Sequence, residues 1–224
     1  MKSKIFYTQI YKRIENRIKD FFNKYPDFLG KDTAVSTRAT GDAIQHILEE
    51  NFQNIIGGFS KQYSAGFARR AMADLAFTDQ NNLYYIKDVK THRLETKFNM
   101  PNLTSVERLA RFYEDDMNYY VVLMVAYNII SGIHIQVKKV HFVPIEFLSW
   151  GCLTIGALGW GQIQIANANN IIVNHGYSRK KWMLELCDML FEFYPQEIEK
   201  VKDRIEYFKK VKMQWEQKKD IWKM

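Results

Sequence analysis

At 224 residues the chain has the length of one domain, or of one domain with a small appendage, and a hydrophobic share of 47% is ample for a core. A net charge of +7 and a pI of about 9.2 favour a polyanionic partner, nucleic acid before membrane. The longest apolar run, Tyr119 to Tyr127, is too short to span a bilayer, so a membrane protein is not expected. Cys152 and Cys187 lie far apart, among apolar residues and without metal-ligand spacing. They read as reduced core thiols, and with no signal-peptide pattern after Lys2 and Lys4 the expected location is cytoplasmic.

Residues 3 to 24 read as an amphipathic helix, with Ile5, Ile10, Ile14 and Ile18 recurring among lysines and arginines. Tyr25-Pro26 ends it, and Asp32 to Thr40 is a polar link. A second helix is expected from Thr40-Gly41 to about Ile55, with Ala43, Ile44, Ile47, Leu48 and Phe52 on its apolar face. Its acids are Asp42, Glu49 and Glu50; Asp42 at the start also suits a helix cap. Between Gly57 and Arg70, Lys61, Arg69 and Arg70 face phosphate or line a solvated loop.

Residues 73 to 93 carry the strongest signal. Ala73 to Phe77 is a short strand bearing Asp74, Asp79-Gln80-Asn81-Asn82 is turn chemistry, and Leu83 to Ile86 is an apolar strand-like run leading into Asp88-Val89-Lys90. Period-two alternation puts Asp88 and Lys90 on one face. Register decides whether Asp74 meets Asp88: a loop of two or four residues sets Asp74 opposite Lys87, and a three-residue loop, Gln80 to Asn82, sets it opposite Asp88. The three-residue loop, or a bulge that achieves the same pairing, is the expected one, with an Asn in the left-handed conformation. Two carboxylates and an amine on one face suit phosphodiester hydrolysis. The carboxylates hold a hard cation such as Mg²⁺, and the lysine orients water or offsets developing charge.

Beyond the hairpin, Thr91 to Asn102 mixes basic, amide and aromatic groups. Leu103 to Tyr113 is predicted helical, with Thr104 or Ser105 at its cap. Asn118 to Ile130 reads as a central strand buried on both sides, because Val121 to Val125 is continuously apolar. Ser131-Gly132 turns the chain into a strand over Ile133 to Phe142, and Val143 to Leu148 is a short turn or helix. Leu153 to Ala166 contains the strand Gln162-Ile163-Gln164-Ile165, followed by Asn167, Asn169, Asn170 and Asn174. Amide side chains pair with adenine in the major groove, and asparagines equally serve turns. Ser178 caps a helix to about Tyr194. Pro195 starts a last helix to about residue 222, whose Ile198, Val201, Ile205, Phe208, Val211 and Trp215 form an apolar stripe that by default packs.

The pair Ala73-Asp74 with Asp88-Val89-Lys90 resembles the PD-(D/E)XK nuclease superfamily, with Ala in place of the usual proline. Asp88-Val89-Lys90-Thr91, the loop ending Met100-Pro101-Asn102, and the Gln162-Ile163-Gln164 strand resemble the HincII/EcoRV-like branch of type II restriction endonucleases. The resemblance covers roughly residues 70 to 115 and, more loosely, 155 to 195. It implies an α/β fold with a restriction-endonuclease-like core, a mixed central β-sheet flanked by helices in one nuclease domain. It implies Mg²⁺-dependent double-strand cleavage of DNA at a short palindrome by a homodimer, with blunt ends favoured. Asp74, Asp88 and Lys90 are then catalytic, Asp74 and Asp88 bind metal, and Asp42 is a further candidate ligand. Arg93, Lys97, Phe98, Asn99, Asn102, Gln162, Gln164, Asn167 and Asn169 are the expected DNA contacts. The N-terminal and C-terminal helices are then dimer or DNA-backbone appendages. The rival readings are a structure-specific or repair nuclease of the same superfamily and a catalytically inactive DNA-binding protein.

Overall fold

A computed structural model of the chain describes residues 2–64 and 74–220. Ala73 and the pair Arg69 and Arg70 lie outside the described residues. The chain divides into two compact units, Met1–Tyr177 and Ser178–Met224.

The first unit is built on a five-stranded mixed sheet in the order β1-β2-β3-β5-β6. Its strands are β1 (Gln62–Ser64), β2 (Leu75–Thr78), β3 (Tyr84–Arg93), β5 (Asn118–Ile130) and β6 (His134–Pro144). The β3 and β5 strands run parallel and every other neighbour antiparallel. Central β5 is buried without interruption from Tyr119 to Tyr127, as its unbroken apolar run requires. It turns into β6 through the three-residue loop Ser131-Gly132-Ile133, whose first two residues are at positive φ (51° and 82°). A smaller antiparallel sheet holds β4 (Asn102–Ser105), β8 (Gln162–Ile165) and β7 (Leu153–Gly156), in that order.

Helix α1 (Ile10–Lys24) sets Ile14, Ile18 and Phe22, four residues apart, into the core, and it packs on β6. After the short α2 (Lys31–Val35), helix α3 (Thr37–Ile56) buries Thr40, Ile44, Leu48 and Phe52 at the same spacing and crosses β3. It starts earlier than expected because Ser36 caps it, its hydroxyl accepting the Ala39 N–H at 3.2 Å. Aromatic rings fill the space beneath: Phe77 stacks on Tyr85 with centroids 4.6 Å apart, and Phe52 lies against Phe77 and Phe142.

Other boundaries also differ from expectation, and α1 itself starts at Ile10 and not at residue 3. Leu103 to Ser105 belong to strand β4, so helix α4 is only Val106–Phe112, although Ser105 does cap it by accepting the Arg108 N–H at 3.3 Å. Pairing with β8 overrides local helix propensity there. The predicted pair of C-terminal helices is one helix, α5 (Arg179–Glu216), of 38 residues with Pro195 inside it. Proline removes one backbone hydrogen bond, and the turns on either side carry the helix across the gap. The apolar stripe of its distal half is exposed and not packed, apart from half-buried Val211, and Cys187, expected in the core, is exposed on the same helix while Cys152 is buried. No described helix is long and apolar enough to cross a membrane.

Candidate active site

The β2–β3 hairpin has the three-residue register. Leu75 pairs with Lys87, Phe77 with Tyr85 and Thr78 with Tyr84, and the Asp79 N–H donates to Leu83 O at 3.1 Å. Asn82 takes the left-handed conformation (φ 60°). Asp79 fixes the turn: Oδ1 accepts the Asn81 and Leu83 N–H groups, and Oδ2 accepts the Tyr85 hydroxyl at 2.9 Å. Continuing that register by one step sets Asp74 opposite Asp88. The Asp74 N–H reaches Lys87 O at 3.1 Å, and Asp74 Oδ2 accepts the Val89 N–H at 2.7 Å.

Asp88 and Lys90 share a face, with Lys90 Nζ 2.8 Å from Asp88 Oδ1. Burial pushes the Asp88 carboxyl up to about 7, Lys90 pulling it down and Asp74 adding to the rise. Its Oδ2 is buried without a hydrogen-bond partner. Tyr120 stands beside it, but the Tyr120 hydroxyl donates to Leu103 O at 3.0 Å. Burial also raises Asp74, opposed by the Val89 N–H and the Lys90 charge. A desolvated carboxylate oxygen with no donor is the group a cation satisfies. The donor set is two carboxylates; no group of three His, Cys, Asp or Glu placed to hold a metal occurs among the described residues. One or two carboxylates, completed by water and a substrate phosphate, is the donor set Mg²⁺ takes, so the residues fit that ion.

Behind this face lies α3. Gln45 Nε2 donates to Asp74 Oδ1 at 2.9 Å and to Glu49 Oε1 at 3.1 Å. Gly41 lies so close to Thr91 that a Cβ there would sit 2.7 Å from Thr91 Oγ1, and this contact lets the helix cross β3. Asp42 is exposed, and the α3 acid whose charge acts on Asp74 is Glu49. Lys87 points to the opposite side of β3 from Asp88. It is fully buried over the Phe52 ring, and its amine lacks a hydrogen-bond partner. Burial drives its pKa well down, against the pull of Asp74 and Glu49. Gln45, Glu49 and Lys87 were missed because helix-to-strand proximity leaves no spacing in the sequence. Only the helical offset of four between Gln45 and Glu49 was visible there.

The expected DNA contacts divide into two groups. Arg93, Phe98 and Asn99 line one depression of about 370 Å³ with Thr37 and Arg38 of α3, Thr91, Thr96 and Tyr127. Phe98 is 62% exposed, and Lys97 is also exposed. The amides, however, are engaged within the chain. Asn169 Oδ1 accepts from Nε2 of buried His92 at 2.8 Å, and Asn169 Nδ2 donates to Thr96 O and Lys97 O at 3.0 and 3.2 Å. Asn99 Nδ2 lies 3.5 Å from Thr91 O and 3.4 Å from His92 Nδ1. Asn167 Oδ1 accepts the Asn169 N–H at 3.0 Å, a turn bond. Gln164 Nε2 donates to Asn102 Oδ1 across β4 and β8, while Gln162 stays half-buried opposite Ser105. Arg93 donates to Ala34 O and pairs with Glu95. So His92 is a buried clasp between two loops, and most of the predicted base-reading amides hold those loops together.

No protein-family model matches the chain, and no curated protein matches it in sequence.

Proposed function

We propose that the protein is a Mg²⁺-dependent phosphodiester hydrolase acting on DNA, in the manner of a type II restriction endonuclease of the PD-(D/E)XK superfamily. The observation that carries this is the meeting of Asp74, immediately before β2, and Asp88 of β3 with Lys90 against Asp88 Oδ1, beside a buried oxygen that has no donor. Asp74 and Asp88 would hold the ion. When bound there, Mg²⁺ supplies Lewis acidity toward a phosphoryl oxygen and lowers the pKa of water.

The chain's own groups account for the rest. The Val89 N–H and Gln45 anchor the Asp74 carboxylate from two sides, which fixes its rotamer before substrate arrives. Lys90, partly exposed, is placed to orient a water or to offset charge growing on the phosphate. Arg38 and Lys97, with the exposed Phe98, offer the backbone and a base step a basic rim and an apolar wedge. A second reading, a superfamily nuclease that recognises DNA structure and not sequence, is favoured by one observation. Asn99, Asn102, Gln164 and Asn169 are occupied by intrachain hydrogen bonds.

The test is digestion of unmethylated lambda DNA with and without Mg²⁺, with the ends sequenced. Discrete Mg²⁺-dependent bands are expected, and they yield site and cut geometry together. Smearing, or cutting of branched substrates alone, selects the second reading, and no cutting with intact DNA binding leaves a non-catalytic binder.

A further inference from the structure

We infer that α5 forms a parallel two-stranded coiled coil with the same helix of a second copy of this chain. The inference follows from the continuity of the helix through Pro195, which joins two apolar patterns into one. Leu184, Phe191, Ile198 and Ile205 recur at intervals of seven and are 56%, 74%, 57% and 51% exposed. Offset by three is a second series, Cys187, Tyr194, Val201, Phe208 and Trp215, again seven apart. These are the a and d positions of a heptad repeat sustained for more than four heptads, the length at which the pattern marks a coiled coil. A strict seven-residue repeat keeps one seam facing a partner of the same period, and an identical helix supplies one. Pro195 falls at an e position, off the seam.

The seam itself selects a second copy in parallel register. Ile198 and Ile205 at the two central a positions, with Val201 and Phe208 at the d positions, give the middle of the seam wholly apolar layers. In that register Glu197 at g faces Lys202 at e of the partner helix, and each already has a partner in its own helix, Lys200 at 2.6 Å and Glu199 at 3.0 Å. The next such pair, Arg204 and Lys209, is like-charged, and Lys209 is likewise held by Glu206 of its own helix at 2.7 Å, so the flanking charges leave the choice of register to the seam. Lys212 is the one polar seam residue. Parallel in-register pairing sets it against its own copy and not against an apolar layer, which is how a single polar a position fixes register. The area suffices: aromatic side chains bury about 150–250 Å² each when fully covered, and Phe191, Phe208 and Trp215, 74%, 63% and 63% exposed, still have enough left to cover to supply roughly half of the ~800 Å² per partner of a standard interface.

Sedimentation equilibrium of the full chain, without DNA, tests this independently of the nuclease reading. The expected mass is twice that of the chain, falling to the chain mass in Ile198→Glu/Ile205→Glu with the far-UV circular dichroism retained. Mild oxidation gives a readout that needs no destabilising variant. In parallel register two Cys187 side chains meet at one d layer, so a reducible cross-linked dimer is expected in the wild type and none in Cys187→Ser. A monomeric wild type, or a dimer that persists in the double variant, overturns the proposal. A dimer that does not cross-link through Cys187 overturns the parallel register.

Discussion

Lys87 Nζ lies 3.0 Å from the centre of the Phe52 ring, fully buried and without a hydrogen-bond partner. The strand that presents Asp88 and Lys90 to one side therefore carries an uncompensated amine on the other. Replacing such a group with an apolar side chain of similar length removes a desolvation cost, so Lys87→Met is expected to raise stability by about 1–3 kcal/mol. Chemical denaturation at neutral pH reads this directly. A loss of stability would mean that the attraction of Asp74 and Glu49 outweighs the burial of the amine.

His141 supplies a pH dependence. It is buried, and burial together with the charges of Lys139, Lys12 and His175 lowers its pKa to about 4. Its folded value lies below its unfolded one, so the unfolded chain takes up the proton first as pH falls. Stability is full above about pH 6.5 and is lost progressively toward pH 4. At pH 5 the loss from this residue is about 2 kcal/mol. His141→Leu should therefore lose less stability than the wild type between pH 7 and pH 5, as unfolding curves at the two pH values will show.

Gln45 joins Asp74 to Glu49 from α3. Groups that orient a ligand-bearing carboxylate typically matter by about 10–100-fold. Gln45→Ala should lower Mg²⁺-dependent cleavage by at least about tenfold while leaving the thermal transition nearly unchanged. Unaltered cleavage would remove α3 from the site.

Binding of the ion should also be visible without DNA. With free Mg²⁺ at ten times its dissociation constant, the folded chain gains about 1.4 kcal/mol, a rise in Tm of roughly 3–6 °C. Asp88→Asn should abolish that rise. An equal rise in the variant would place the ion elsewhere.

Asn169 ties His92 to the backbone of Thr96 and Lys97. Asn169→Ala should speed amide exchange in residues 94–100 and weaken DNA binding evenly across sequences, because the loop loses its form. A loss confined to one base-pair position would restore Asn169 to direct readout.

The sequence by itself determined the hairpin and its consequences. An apolar run, an Asp-Asn turn and a period of two leave few registers, and the three-residue loop needs a residue such as Asn82 that tolerates positive φ. The buried β5 strand and the caps at Ser105 and Ser178 were legible for the same reason: their signals are local. The tertiary structure alone decided what depends on distant segments. Gln45 and Glu49 reach Asp74 because α3 crosses β3, and Asn169 grips a loop more than 70 residues away. The amides that looked like base readers are satisfied within the chain. At Pro195 a local rule predicted a break, yet a single missing hydrogen bond does not end a helix whose neighbouring turns are sound. That continuity is what reveals the heptad seam.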